Sequence, residues 1–113
     1  MSSSIHLDKP WLELSTEIVS ELPGQLGVYQ LGNEAGEVLF IGYAGGHSRF
    51  GLRSELAQWL GEPDSEVRKF RCEVNMQYTT RYQELLMVYV AEHDRVPVRN
   101  SESLAELGRL KLA

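Results

Sequence analysis

The sequence predicts an α+β fold in which a three-stranded sheet, mixed or antiparallel, packs against helices. Two apolar runs, 26–31 and 38–42, flank a short polar loop, as in a β-hairpin. Apolar residues recur at helical spacing after the hairpin and again from residue 82. Between these helical stretches, residues 69–76 alternate apolar and polar side chains, which is typical of a strand with one buried face.

The predicted order of elements is ββαβα, preceded by a short helix and followed by another. Residues 16–22 form the first helix, which ends at Pro23 and covers the domain. After the hairpin, a glycine-rich loop leads to a helix near 50–60, for which Ser48 is a plausible N-cap. A chain of 113 residues can bury one modest core, so residues 1–113 are expected to form a single domain with its core at about 23–100.

The second main helix is predicted at 80–92, because Thr80 and Gln83 have the spacing of a capping box. Pro97 then favours an extended approach to a last helix that starts at Ser101 or Ser103. The apolar sides of the two main helices are predicted to be mostly buried; they carry Leu52, Leu56, Leu85, Leu86 and Tyr89.

Composition limits the classes of partner. The net charge of −5 does not favour nucleic acid, whose phosphates bind clustered lysine and arginine. A local basic patch could still form on one face from Arg49, Arg53, Arg68, Lys69 and Arg71. The single cysteine, Cys72, cannot form an internal disulfide and is expected to fill the core, which favours a cytoplasmic protein. No apolar run reaches the ~20 residues of a membrane span.

Short motifs of this chain resemble the GIY-YIG nuclease domain. The motifs are Gly27-Val28-Tyr29 and Phe40-Ile41-Gly42, followed by an arginine on the next helix and a glutamate on a later one. The similarity covers roughly residues 23–100, and its weight lies in the order and spacing of the motifs. The resemblance implies the family's fold, which has the same order of elements, and a metal-dependent endonuclease activity with DNA as a partner.

The resemblance also implies a set of catalytic residues. Tyr29, Arg53 and Glu84 occupy the family's catalytic positions, and Asn100 matches the asparagine that often closes the domain. In the family the glutamate holds Mg²⁺ or Mn²⁺ beside the scissile phosphate, which makes Glu84 the expected metal ligand. An arginine can stabilise charge on the phosphate, and a tyrosine hydroxyl can orient or deprotonate the attacking water.

Phe40 departs from the family, which has a second tyrosine at this position. Phenylalanine keeps the ring but loses the hydroxyl. Tyr43 is not a simple replacement, because an odd offset along a strand points to the opposite face. His47 and Arg49 in the following loop are further candidate donors.

Each candidate also has a structural interpretation. Tyr29 is alternatively a core aromatic, and Arg53 a solvated helix residue beside Glu55 or Gln58. Glu84 is alternatively a first-turn residue that pairs with Arg81 three positions earlier. Asn100 is equally typical of a cap or turn. The second hypothesis for the whole chain is therefore a catalytically silent GIY-YIG-like module that binds nucleic acid or a protein partner.

Overall fold

The fold is α+β, with helices on both faces of a four-stranded antiparallel sheet. A computed structural model describes residues 6–46, 49–61 and 66–101. The strands are β1 (Leu12–Glu13), β2 (Gly27–Gly32), β3 (Val38–Ala44) and β4 (Lys69–Val74). The helices are α1 (Thr16–Ser20), α2 (Gly51–Ala57) with a 3₁₀ turn at Gln58–Gly61, and α3 (Tyr78–His93).

The sheet has four strands in the order β1-β4-β2-β3, so the prediction of three strands is wrong by one. Strands β2, β3 and β4 are the three predicted ones. The additional strand, β1, pairs Leu12 with Phe70 and Glu13 with Lys69. A strand of two residues is too short to give a period-two pattern, and it forms because β4 offers its free edge.

The hairpin of β2 and β3 contains one irregularity. Leu31 pairs with Phe40, but Gly32 pairs with Val38, so Leu39 is the extra residue of a bulge. In the turn, the Asn33 side-chain oxygen accepts the Glu37 N–H at 2.9 Å. The bulge interrupts the alternation of side chains between the two faces at Leu39. After it, Phe40 packs on one face of the sheet and Ile41 on the other.

The two faces of the sheet contact different helices. The core on the α2 face contains Tyr29, Leu31, Leu52, Leu56 and Phe70. The core on the α3 face has fewer fully buried residues, namely Leu7, Val28, Ile41 and Leu85.

The helices lie close to their predicted positions, but their starts differ. The residue before α2 is Phe50, whose side chain makes no capping bond; the predicted cap, Ser48, lies outside the described residues. Helix α3 begins at Tyr78, before Thr80, so the predicted Thr80–Gln83 capping box is wrong. The turn before α3 is instead closed by Asn75, whose side-chain oxygen accepts the Gln77 N–H at 2.8 Å.

The burial predictions hold for three of the five helix residues. Leu52, Leu56 and Leu85 are buried, whereas Leu86 and Tyr89 are only partly buried beside the α3-face core. Residues 98–101 are helical, so the last helix begins before Ser101, and Ser103 lies outside the described residues. No helix in the described ranges has the length and apolar composition needed to cross a membrane.

Candidate functional site

Tyr29 lies in β2, and its ring is buried on the α2 face. Its hydroxyl donates a hydrogen bond to Oε1 of Glu55 in α2 at 3.3 Å. The ring lies so close to β3 that a Cβ atom added to Gly42 would be 2.5 Å from Cζ of Tyr29. The glycine of the Phe40-Ile41-Gly42 motif is therefore required by the packing of the Tyr29 ring.

The environment of Tyr29 keeps its hydroxyl protonated. Burial raises the pKa of Tyr29 well above its usual value near 10, and the Glu55 carboxylate raises it further, while a hydrogen bond with Trp59 offsets part of the rise. A phenol in this state can donate a hydrogen bond, but it is a poor base at neutral pH. Of the two interpretations of Tyr29, the core aromatic describes its surroundings better.

Phe40 lies between two aromatic rings on the same face. Its ring centroid is 6.0 Å from that of Tyr29 and 5.0 Å from that of Trp59. Both pairs are tilted, a geometry that aromatic rings favour. Phenylalanine at this position thus contributes to packing through its ring, which carries no hydroxyl.

Arg53 lies in α2 but on a different side from Glu55, because residues two apart on a helix do not face each other. Its guanidinium carbon lies 5.6 Å from the ring centroid of Phe50. The guanidinium of Arg49 lies 5.7 Å from the same ring. Half of the Phe50 side chain is exposed, at 52%, so two arginines flank an accessible aromatic ring. We call Arg49, Phe50 and Arg53 the Phe50 platform.

The Arg53 side chain has few protein partners. Its Nε atom is buried and has no hydrogen-bond partner, the only such side-chain nitrogen or oxygen among the described residues. Within the same residues, Arg53 forms no ion pair. An arginine held by a ring and by no carboxylate retains its hydrogen-bonding capacity for a ligand.

Glu84 lies in α3, which covers the opposite face of the sheet from Tyr29. Its carboxylate pairs with Arg81 three residues earlier, as its structural interpretation predicted. Arg81 is also held by Glu73 of β4, with 3.1 Å between Nε and Oε2. The structure therefore places Tyr29, Arg53 and Glu84 in three different surroundings, and none of the contacts described above joins one to another.

The donors around Glu84 do not fit a divalent metal. A magnesium site needs oxygen ligands, and the Glu84 carboxylate is half exposed and already bound by an arginine. In the part of the chain that the structure describes, no three side chains of histidine, cysteine, aspartate or glutamate converge as a metal site.

The supporting candidates also occupy separate positions. Tyr43 points to the α3 face, as predicted from its offset from Phe40, and its ring lies 5.6 Å from that of Tyr78 and 4.9 Å from that of Tyr82. Asn100 is buried and bonds to the backbone of Ile41 through both atoms of its amide. His47 lies outside the described residues.

The basic residues do not combine into one patch. Arg49 and Arg53 flank Phe50 at the start of α2, whereas Arg71 lines a pocket beside α3. Arg68 and Lys69 line another pocket, near β1. Phe50 was not among the predicted site residues; the signal that could have identified it is an aromatic residue between two arginines in a loop with no apolar periodicity.

Comparison with known proteins gives a family for this chain. A family model described as "Domain of unknown function (DUF7508)" matches residues 5–94. The chain belongs to this family. The match includes all four strands and all three named helices of this DUF7508 protein. No curated protein and no solved structure matches it significantly.

Proposed function

We propose that this DUF7508 protein is a catalytically silent GIY-YIG-like module that binds single-stranded nucleic acid through the Phe50 platform. The observation that carries the proposal is the exposed Phe50 ring with two arginine guanidinium groups 5.6 and 5.7 Å from its centroid. Proteins that bind single strands combine aromatic rings, on which bases stack, with cations that contact the phosphates.

The backbone supports the platform. The N–H of Leu52 donates to the backbone oxygen of Gln25 at 2.9 Å, which fixes the first turn of α2 to the segment before β2. Gly51 has a φ of 56°, and a Cβ atom there would lie 2.3 Å from the same oxygen. Phe50 directly precedes Gly51, whose backbone is packed against Gln25, so the backbone that carries the Phe50 ring has a defined position.

The positions of the family residues favour binding without cleavage. Tyr29 is buried against Glu55, Phe40 lacks a hydroxyl, and Glu84 is paired with Arg81 on α3, at the opposite face of the sheet. General acid–base and metal catalysis both require groups within reach of one reacting phosphate. The metal-dependent nuclease with Mg²⁺ or Mn²⁺ at Glu84 is the competing hypothesis, and a cleavage assay tests it.

Binding is expected to be weak, because the protein has a net charge of −5 and the platform contributes only two arginines. Two arginines neutralise about two phosphates, and single strands lose affinity with a slope of about −0.7 per phosphate in a plot of log K against log salt. We therefore expect a slope of about −1.4. Binding should be weak at physiological salt and clear at low salt, and the base-stacking part should not depend on salt.

The experiment is fluorescence anisotropy with labelled oligothymidine over a range of salt concentrations, in EDTA. Phe50→Ala should weaken binding about tenfold, because one stacked base is worth roughly 1–3 kcal/mol. Arg53→Gln should lower the salt slope by about 0.7. Arg68→Gln is the matched control, since Arg68 lies near β1 and should leave both quantities unchanged.

A cleavage assay with added Mg²⁺ or Mn²⁺ accompanies the titration. Uncut single-stranded, duplex and branched DNA together with Phe50-dependent binding supports the silent module. Metal-dependent cleavage that Glu84→Gln abolishes would overturn it in favour of the nuclease. Binding that Phe50→Ala and Arg53→Gln leave intact would remove the platform from the proposal.

A further inference from the structure

A pocket of about 290 Å³ lies between the second half of α3 and the sheet, on the face opposite the Phe50 platform. Its apolar wall is formed by Val38, Leu85, Val88 and Tyr89. Its polar side contains Gln30 and Arg71, which pair directly across β2 and β4. The volume is just below the roughly 300–1,000 Å³ typical of small-molecule pockets, which limits the ligand to a small one.

Arg71 is held in one orientation by protein contacts. Its Nε atom donates to Oε1 of Gln30 at 2.8 Å, and Gln30 is only 6% exposed. The guanidinium also lies over the Trp11 ring, with 4.2 Å from Cζ to the ring centroid. Burial lowers the pKa of Arg71, the nearby Asp8 carboxylate raises it again, and a guanidinium stays charged at neutral pH in either case.

The contacts of Arg71 use only one of its five N–H groups. Among the described residues, no carboxylate forms an ion pair with it, and its one hydrogen bond is the one to Gln30. The two terminal nitrogens therefore offer a planar fork of donors on a fixed side chain that lines the pocket. This fork matches the two oxygens of a carboxylate.

The pocket is lined by two arginines and two glutamates, so it carries no excess of positive charge, but the two glutamates are engaged by protein donors. Glu92 is paired with His6 at 2.7 Å, and Glu37 accepts a hydrogen bond from the Asn33 amide at 2.8 Å. Arg95 also lines the pocket, and no described residue forms an ion pair with it. Both carboxylates thus have donors, whereas both arginines lack carboxylate partners.

We propose that this pocket binds a small organic acid, with its carboxylate on the Arg71 guanidinium and its apolar part against Leu85, Val88 and Tyr89. A monoanion is favoured over a phosphate dianion because Glu37 and Glu92 border the same space and repel the higher charge more strongly. The site is independent of the proposed nucleic-acid surface, which lies on the other side of the sheet.

The test uses the full chain labelled with ¹⁵N and titrated with sodium hexanoate, followed by NMR of backbone amides and of the Gln30 and Arg71 side chains. Hexanamide is the matched neutral probe, and inorganic phosphate is the competing anion. We expect saturable shifts around Gln30 and Arg71 with hexanoate, and at least about tenfold weaker binding of hexanamide, because hydrogen bonds to charged groups are the stronger ones.

Three variants complete the test. Arg71→Gln should weaken hexanoate at least about tenfold. Val88→Phe should also block hexanoate, by filling the pocket while Arg71 and its support are retained. Arg68→Gln, at the residue before β4 and outside the lining of this pocket, should bind as the wild type does. A dispersed amide spectrum of each variant verifies folding.

Equal shifts with hexanoate and hexanamide, tighter binding of phosphate, or hexanoate binding that survives both Arg71→Gln and Val88→Phe would overturn the proposal. An absence of saturable shifts would overturn it as well. Because the test variants of the pocket, Arg71→Gln and Val88→Phe, are not those of the Phe50 platform, failure of either proposal leaves the other intact.

Discussion

The Asn100 side chain replaces a strand partner for Ile41. Its Oδ1 atom accepts the Ile41 N–H at 2.8 Å, and its Nδ2 group donates to the Ile41 carbonyl oxygen at 2.9 Å. Ile41 lies in β3, which forms one edge of the sheet, and both groups are buried. The amide therefore satisfies two buried backbone groups that no neighbouring strand reaches, which gives Asn100 a structural role.

We expect Asn100→Ala to lower the free energy of unfolding by about 2–4 kcal/mol. The substitution leaves a buried donor and a buried acceptor unpaired, and each costs roughly 1–3 kcal/mol. Urea denaturation followed by circular dichroism measures the change. Ser101→Ala is the control, because Ser101 is exposed and such substitutions stay within about 0.5 kcal/mol. A similar loss in both variants would mean that the contact with Ile41 contributes little.

Glu73 and Glu84 both form ion pairs with Arg81, so the same substitution, glutamate to glutamine, can be compared at the two positions. Burial raises the pKa of Glu73, but hydrogen bonds from Asn75 and Arg81 outweigh it and hold the pKa below its usual value. Glu84 is more exposed and pairs with Arg81 along the helix surface. The pair with Glu73 is therefore the one that solvent screens less.

Glu73→Gln should cost about 1 kcal/mol of stability at neutral pH after allowance for solvent screening. Glu84→Gln should cost only about 0.2–0.5 kcal/mol. Because the Glu73 pKa is lowered in the folded state, its contribution is present above the unfolded pKa and is lost as the pH falls through the folded one. Denaturation at neutral and acid pH checks the ranking. A larger loss of stability in Glu84→Gln than in Glu73→Gln would contradict this ranking. Weaker Mg²⁺ binding by Glu84→Gln than by the wild type in calorimetry would support Glu84 as a metal ligand.

Gly51, the first residue of α2, and Gly46, five residues earlier, form a second matched pair. An alanine at Gly51 would have to adopt a φ of 56°, with its Cβ 2.3 Å from the Gln25 oxygen, whereas a Cβ at Gly46 meets nothing within 4 Å. Gly51→Ala should therefore lose at least about 1–3 kcal/mol. Gly46→Ala should be neutral or slightly stabilising. Thermal unfolding of both variants measures this difference, and equal midpoints would contradict the described start of α2.

Local patterns were sufficient for the parts of the fold that depend on local physics. The alternation of residues 69–76 identified β4, and the spacing of Glu84 from Arg81 predicted their ion pair. The offset of Tyr43 from Phe40 predicted that they lie on opposite faces of β3. Each of these inferences needs only the period of one element.

Contacts between distant segments could not be predicted in the same way. Strand β1 has two residues and no periodicity, and it exists through its pairing with β4. The bond from Tyr29 to Glu55 depends on how α2 packs on the sheet, and the bond of Asn100 to Ile41 joins residues 59 positions apart. The motif residues were identified from their order along the chain, but their surroundings are set by tertiary packing.

The last prediction concerns the ionisation of Tyr29. Burial, and then the Glu55 carboxylate, raise its pKa in the folded protein, while in the unfolded chain the phenol titrates near 10. The stabilisation is therefore fully present below pH 10, and it is lost as the pH rises from there toward the folded pKa. In this window the wild type should lose up to about 1.4 kcal/mol per pH unit from this group alone.

Tyr29→Phe isolates that contribution, because Tyr82 also has a raised pKa and titrates in both proteins. At neutral pH the variant should be less stable by about 0.5–1.5 kcal/mol, since the hydrogen bond to Glu55 is lost. Above pH 10 the difference should shrink and then reverse, because phenylalanine has no proton to lose in the unfolded state. Urea denaturation of both proteins between neutral and alkaline pH measures the two curves. Parallel curves would show that the Tyr29 hydroxyl is accessible to solvent, and an accessible hydroxyl beside Glu55 would again qualify as a catalytic group.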